Sequence, residues 1–478
     1  MSARPQRVFS LGPMPPERCA YALARYSRSP DSIRQSLDWV RQHDAQQFLE
    51  HYYFQYGHAS IADLGHLVLC FEGISELAAV EIEDEPLWDG QARSSRYQDF
   101  AQAGFIVPPE LVTDVDRARY AQSAQALLEG YRRVHQAVQE LLRERYPKSA
   151  DMDAAVYQRT IRARAFDVAR YLLFLGVPTN VGQITSIRTL EKQIRRLKAS
   201  PYQELRELAE EIAAACNRPP DLQWAAAAPA EPLAPTLARH TSTDSYLEAT
   251  TKDLAEWAQQ NLPPLPRPQP ELVDVLRPED PVADVVATLL YPVTHYSYRQ
   301  LYSLARQWSS RQRNEVLDLA TRHRRSRDEL LRAFRGAPYV IDLTVDIGAY
   351  RDLHRHRRCH QFRQPYSTAW GYEIPMWIRE VGLATVYHEA LDQAYATIEQ
   401  LPALGRDYLL PFATRIRALF KMDFAELDYI CRLRTSPKGH FSYRRIAWEM
   451  KQKFERLEPE LGRLIQATPP EVEDLLTR

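Results

Sequence analysis

"RLKASP", residues 196–201, returns as "RLRTSP" at 432–437. Two further echoes keep the same order upstream. "ARYLLFLGVPT" from Ala169 answers "GRDYLLPFAT" from Gly405, and "RYQDF…FIVPPEL" from Arg96 answers "PYSTAW…YEIPMWI" from Pro365. Three matches in one order, over an interval too long for a solenoid repeat, read as two tandem copies of one domain. The expected division is 1–217 for the first copy, 218–269 for a Pro/Ala-rich connector with a short helix, and 270–478 for the second. The connector contains "RPPDLQWAAAAPAEPLAPTLARH" and "NLPPLPRPQPELVDVLRPEDP", polar Pro/Ala-rich stretches of the kind that separate domains.

Each copy is expected to be an α+β unit with an antiparallel sheet and long helices. "HLVLCF" (66–71) and "YVIDLTVDI" (339–347) alternate like half-buried strands, with Tyr339, Ile341, Leu343, Val345 and Ile347 on one face. "QRVFSL" (6–11) and "ELVDV" (271–275) read as the opening strands of the two copies. "ISELAAVEI" places Ile74, Leu77, Ala78 and Ile82 at helical spacing after the first strand, and "AYRDLHRHRR" stands in the same place after the second. Residues 200–216 and 442–457 read as charged amphipathic helices.

Lys and Arg number 61 against 62 Asp and Glu in 478 residues, so the chain as a whole is no polyanion binder and any basic site is local. The five cysteines form no CxxC pair, which points neither to a zinc ribbon nor to a disulfide framework. The start, "MSARPQRVFSLGPMPPERCA", does not read as a signal peptide, and no apolar run reaches membrane-span length. A cytoplasmic protein with no membrane association is expected.

The local basic site is "RDLHRHRRCHQFRQPYS", 351–367. His356 and His360, four apart with Cys359 between them, would suit a metal on a helix, but Arg355, Arg357, Arg358 and Arg363 repel a cation. A solvated basic face is the plain alternative, and the interrupting Phe362, Pro365 and Tyr366 argue against it. Guanidinium forks suit a phosphate-bearing ligand. The same residues interleaved with aromatics could stack RNA bases, whereas DNA is not expected. At the matching place in the first copy, "LWDGQARSSRYQDF" (87–100) offers Ser94, Ser95 and Arg96 after an Asp-Gly turn, a cradle for one phosphate.

These residues resemble the flavin-dependent thymidylate synthases. The family's Gly-His-x-Ser/Thr segment is matched by "GHAS", giving His58 and Ser60, and its Ser-x-Arg-Tyr element by "SSRY", giving Ser94, Ser95, Arg96 and Tyr97. "RDLHRHR" resembles its Arg-Gln-x-x-Arg-His-Arg signature, with Asp352 in place of the glutamine. The resemblance implies FAD contacts for Arg351, Arg355, His356, Arg357, His58, Ser60 and Arg188. It implies nucleotide contacts for Ser94, Ser95, Arg96, Tyr97, Arg170, Arg434 and Lys198. It further implies conversion of dUMP, or a related pyrimidine nucleotide, to its 5-methyl product with FAD, methylene-tetrahydrofolate and NADPH. A homodimer of the two-copy chain would form a pseudo-tetramer.

Each copy departs from the pattern in a complementary way. The first has Asp84-Glu85-Pro86 where Arg-His-Arg belongs, and Gln91-Ala92 in place of Asn-Glu. The second lacks Ser-x-Arg-Tyr and carries Ala425 at the flavin-side arginine. The expectation is that the Ser-Ser-Arg loop of one copy faces the Arg-His-Arg of the other in the native assembly. The alternative is a diverged flavin- or nucleotide-binding protein without that activity.

Overall fold

The computed structural model describes residues 14–26, 33–50, 59–222, 235–266, 271–325, 331–334, 339–422, 424–457, 462, 465 and 467–472. The expected strand at 6–11, and His58, lie outside the described residues. The chain forms two compact units. The smaller comprises Met1–Leu69, Gln183–Ser200 and Leu205–Asp244; the larger comprises Cys70–Gly182, Pro201–Glu204 and Ser245–Arg478.

The first copy runs β1 (His66–Ser75), α1 (Glu76–Glu83), β2 (Asp89–Ala92), α2 (Asp114–Arg145), α3 (Ala154–Ala169), β3 (Pro178–Ser186), α4 (Ile187–Lys198) and α5 (Gln203–Cys216). In the second copy, β4 (Val273–Leu276), α6 (Pro281–Leu290) and α7 (Tyr298–Gln307) come first. Then follow β5 (Tyr339–Asp346), α8 (Ile347–Leu353), β6 (His360–Arg363), α9 (Ala384–Gln400), β7 (Arg415–Met422), α10 (Phe424–Arg434) and α11 (Phe441–Leu457). The first sheet has the order β1-β3-β2, and the second has β4-β5-β7-β6. Removing β4 leaves the same order in both, the structural counterpart of the sequence repeat.

Local chemistry sets the equivalences between copies. Ser75 caps α1 by accepting from Ala78 N, and Asp346 caps α8 by accepting from Ala349 N. The next two backbone N–H groups bond in parallel fashion, Glu76 and Leu77 to the carbonyls of Val177 and Leu175, Ile347 and Gly348 to those of Thr414 and Phe412. The helical spacing expected from Ile74 begins instead at Glu76, because the Ser75 side chain caps the helix there and Ile74 ends β1.

The two repeated apolar segments pair with each other inside the larger unit. Leu175 N donates to Leu410 O at 3.1 Å and Ala413 N to Tyr171 O at 3.1 Å, around an antiparallel bridge between Phe174 and Pro411. Gly176 allows the approach, since a Cβ there would collide with the Tyr120 hydroxyl. Beside this seam α2 packs along α9. The buried stripe of α2, Tyr120, Ala124, Leu127, Tyr131, Val134, Val138 and Leu142, repeats every three or four residues as a helix demands. Thus the copies associate within one chain.

The alternation expected for residues 339–347 is absent, because all eight residues of β5 are buried. One face carries Ile341, Leu343 and Val345. The opposite face carries Asp342 and Thr344, which a half-buried strand would give to water. Tyr291 Oη donates to Asp342 Oδ1 at 2.7 Å, Tyr298 N donates to Oδ2 at 2.9 Å, and Arg417 ion-pairs with the same carboxylate. Lys421, fully buried on β7, donates to both oxygens of Asp284 at 2.8 and 2.9 Å. The charged groups tolerate burial because each finds a partner, whereas the buried Thr344 hydroxyl makes no hydrogen bond. Around them α6 and α7 supply an apolar cluster that includes Val286, Leu290, Leu301, Val340 and Leu419.

Candidate functional site

Helix α8 ends at Leu353, so Arg355, His356 and Arg357 stand in the turn between α8 and β6. His356 and His360 therefore share no helical face. Strand β6 is held by β7 with His360 opposite Lys421 and Arg363 opposite Ala418, which fixes where the turn begins and ends.

This turn and the last turn of α8 meet the 89–96 segment of the first copy within the larger unit. Arg351 Nη1 donates to Ser95 Oγ at 3.3 Å, Arg355 Nη1 to Gln91 Oε1 at 3.4 Å, and Arg357 Nη2 to Asp89 Oδ1 at 2.8 Å. Arg357 also lies over the Trp88 ring, 5.1 Å from its centroid. The Ser-Ser-Arg and Arg-His-Arg halves thus come together from the two copies of a single chain.

Behind this contact the guanidiniums are matched with carboxylates. Arg96 grips Asp167 with Nε and Nη2 at 2.7 and 3.0 Å, donates Nη1 to Tyr443 Oη at 2.8 Å, and reaches Lys438 O at 3.2 Å. Arg170 donates Nη1 to Asp352 Oδ2 at 3.1 Å, while its buried Nε and Nη2 make no hydrogen bond. Arg351 ion-pairs with the fully buried Glu76 at 2.7 Å. His440 Nε2 is 2.8 Å from Asp167 O, which ties α3 to the turn before α11.

His356 faces inward rather than toward solvent. Its Nε2 accepts from Arg434 Nε at 2.7 Å, and Nδ1 lies 3.6 Å from Glu426. That pattern fixes the Nδ1–H tautomer. Burial, reinforced by the Arg434 charge, lowers its pKa against the pull of Glu426, so the imidazole is neutral near pH 7.

Two carboxyls show opposite electrostatics. Burial alone would raise Asp352, but Arg170, Arg96, Arg434 and Arg355 outweigh it and hold this group well below the ordinary carboxylate range. Burial dominates at Glu76 and pushes it from 4.5 up to about 7 despite Arg351. The folded chain then keeps a proton on Glu76 that the unfolded chain sheds, so this group makes stability fall as pH rises from about 4.5 through about 7 and level off above. We expect urea-unfolding free energies between pH 5 and 8 to show this decline, with Glu76→Gln removing a contribution of roughly 3 kcal/mol. An identical slope in the variant would refute it.

Other residues picked out by sequence lie elsewhere or play other parts. Ser94 Oγ accepts from Arg96 N at 3.3 Å and so shapes the loop, and Tyr97 is exposed. Arg188 pairs with Asp63 at 3.0 Å and Lys198 with Glu210 at 3.1 Å, both inside the smaller unit, where Ser60 is exposed. The counter-ions Glu76, Asp167 and Asp352, and the aromatic partner Tyr443, were not expected as site residues. The available signal was an acid within an otherwise apolar helix face, as with Asp167 in "ARAFDVAR".

The pseudo-equivalent position has an acid where the first site has Arg355. A cleft is lined by Val80, Glu81, Asp84, Arg332, Tyr350 and His354, with Gln361 and Arg363. Asp84 holds Arg332 through two 3.0 Å bonds and Glu81 holds Arg363 at 2.8 Å. Guanidiniums pair with carboxylates here as in the first site, but Asp84 stands where the first site carries Arg355.

The family model for thymidylate synthase complementing protein, Thy1, matches this chain twice, at residues 11–218 and 272–460. The chain belongs to that family. It is a tandem member, with one α+β copy under each match. UPF0159 proteins are similar along most of their length. That of Chlamydia muridarum is 27% identical over 415 residues, 84% of this chain and 77% of the relative. The Chlamydia pneumoniae protein is 27% identical over 426 residues, 87% and 79% of the two chains. The Thermoplasma acidophilum protein is 23% identical over 483 residues, 93% and 94%. A solved structure of thymidylate synthase X from Helicobacter pylori with FAD and dUMP matches at 16% identity and a TM-score of 0.28, over 42% of this chain and 88% of that one. Among the described residues no helix is long and apolar enough to cross a membrane.

Proposed function

We propose that the composite site of the larger unit carries out flavin-dependent methylation of dUMP, or a close pyrimidine nucleotide, to the thymidylate product. Methylene-tetrahydrofolate would be the carbon donor and NADPH the reductant. The observation that supports it most is the bond from Arg351 to Ser95, which joins the two halves of the family's motif, each kept by a different copy. Arg355 and Arg357 are half-buried and both reach the Asp89–Gln91 stretch, a donor set suited to the phosphates of FAD. When bound, FAD would supply the hydride chemistry. The chain's own residues would bind and orient the ligands: Ser95 and Arg351 join the two loops, Arg434 keeps His356 in one tautomer, and Arg170 with Arg434 presents positive charge to the nucleotide. Two such chains, each already holding two copies, would form the pseudo-tetramer. The free thiols of Cys19, Cys70, Cys216, Cys359 and Cys431 suit a reducing, cytoplasmic setting.

A visible spectrum of the purified protein and deuterium exchange at C5 of dUMP test the reading. Visible flavin absorbance is expected, together with C5 exchange that requires the bound flavin, and Arg355→Ala should lose both the flavin and the exchange. A colourless protein that takes up no FAD would sink it. Binding of flavin or nucleotide without exchange would favour a diverged binding protein, a reading helped by the acids already seated on Arg96 and Arg170.

A further inference from the structure

We propose that Asp352 is a specificity-determining residue of the composite site, a resident counter-ion that an anionic ligand must displace from Arg170. The inference deepens the nucleotide reading and rests on it for the identity of the natural ligand.

The arginines differ in what they can give up. Arg96 is saturated, with two bonds to a carboxylate that is itself almost fully buried, one to Tyr443 and one to a backbone carbonyl. Arg170 has a single hydrogen bond, to Asp352, and two buried nitrogens, Nε and Nη2, with none. The Asp352 side chain is 17% exposed while that of Arg170 is 2% exposed, so the pair is reached from the carboxylate side. Displacing Asp352 is therefore the way for an incoming anion to reach the buried Arg170 cation. The depressed Asp352 titration agrees that several guanidiniums converge on this one carboxylate.

The duplication supplies an independent observation. Counted from the helix caps Ser75 and Asp346, Glu81 occupies the position of Asp352, and Glu81 also sits on a guanidinium, that of Arg363 at 2.8 Å. Both copies keep an acid seated on an arginine at this point, although the residues that follow have changed from Asp84-Glu85-Pro86 to Arg355-His356-Arg357.

A tethered carboxylate competes at high effective concentration. Only a ligand that offers more charge and more acceptors wins the exchange, which selects a dianionic phosphate monoester over monoanions. Removing the charge should strengthen anion binding and erase that choice.

Calorimetric titration of wild-type and Asp352→Asn protein with inorganic phosphate, acetate, dUMP and deoxyuridine tests this. The variant should bind phosphate and dUMP about tenfold more tightly and gain affinity for acetate, as loss of one nearby like charge predicts. Deoxyuridine, which lacks the phosphate, should change little. A folded variant that binds phosphate no better than wild type would overturn the proposal. If the variant does not fold, difference infrared spectra of wild type with added phosphate give the answer: a shifted carboxylate stretch supports exchange, and a flat carboxylate region refutes it. Because phosphate is the probe, the gain can be seen even if dUMP proves not to be a ligand, so failure of the thymidylate reading stays distinguishable.

Discussion

Arg96→Met is expected to lower stability by about 3–5 kcal/mol and to weaken nucleotide binding at the composite site at least ~10-fold. Its guanidinium neutralises Asp167 and carries the 94–96 loop to Tyr443 and Lys438, residues nearly 350 positions away in the second copy. The substitution takes from Asp167, whose side chain is 4% exposed, its two-pronged cation and leaves it Arg164 at 3.8 Å. It also releases the loop that presents Ser95 to Arg351. A double variant, Arg96→Met with Asp167→Leu, separates the two effects. Replacing both partners by apolar groups is commonly neutral, so urea unfolding should return most of the way to wild type, short of it by the Arg164–Asp167 contact. Ligand affinity should not return, because the loop remains untethered. Equal unfolding midpoints for the single variant and wild type would remove the buried-pair argument, and wild-type dUMP affinity in the double variant would remove the loop argument.

The repeat, the strand at 339–347 and the basic turn after α8 were legible because each is a local pattern. The meeting of Ser-Ser-Arg with Arg-His-Arg was also legible, as two half-motifs that lacked their complements. Its location inside a single chain was not, since nothing local reports that residues 171–176 pair with 408–413. The counter-ions escaped notice for the same reason. Asp167 and Glu76 look like ordinary helical acids until Arg96 and Arg351 arrive from 71 and 275 residues away. The sequence pattern also misplaced the polar face of β5. Alternation predicts water beside Asp342 and Thr344, and only the helices α6 and α7, with the aromatic donors Tyr291 and Tyr298, convert that face to interior.

That interior face leads to the site through β7. Asp342→Leu is expected to cost about 3–5 kcal/mol, at the upper end of the range, because Arg417 cannot shed its charge. Tyr291 and the Tyr298 N–H lose their acceptor at the same time. Lys421→Met should cost less, about 1–3 kcal/mol, since Asp284 keeps the Tyr298 hydroxyl at 2.7 Å as a donor. The order follows from chemistry: burial already lowers the Lys421 pKa, whereas it leaves a guanidinium charged. Thermal or urea unfolding of the two variants ranks them, and a larger loss for Lys421→Met would contradict the account. The effect should extend to function. Arg417 and Lys421 lie on β7, and Lys421 is the register partner of His360, where the chain leaves the Arg355–Arg357 turn. Loosening β7 frees that turn before the whole domain unfolds, so Asp342→Leu should lose ligand affinity at denaturant concentrations where its helical circular dichroism is still native.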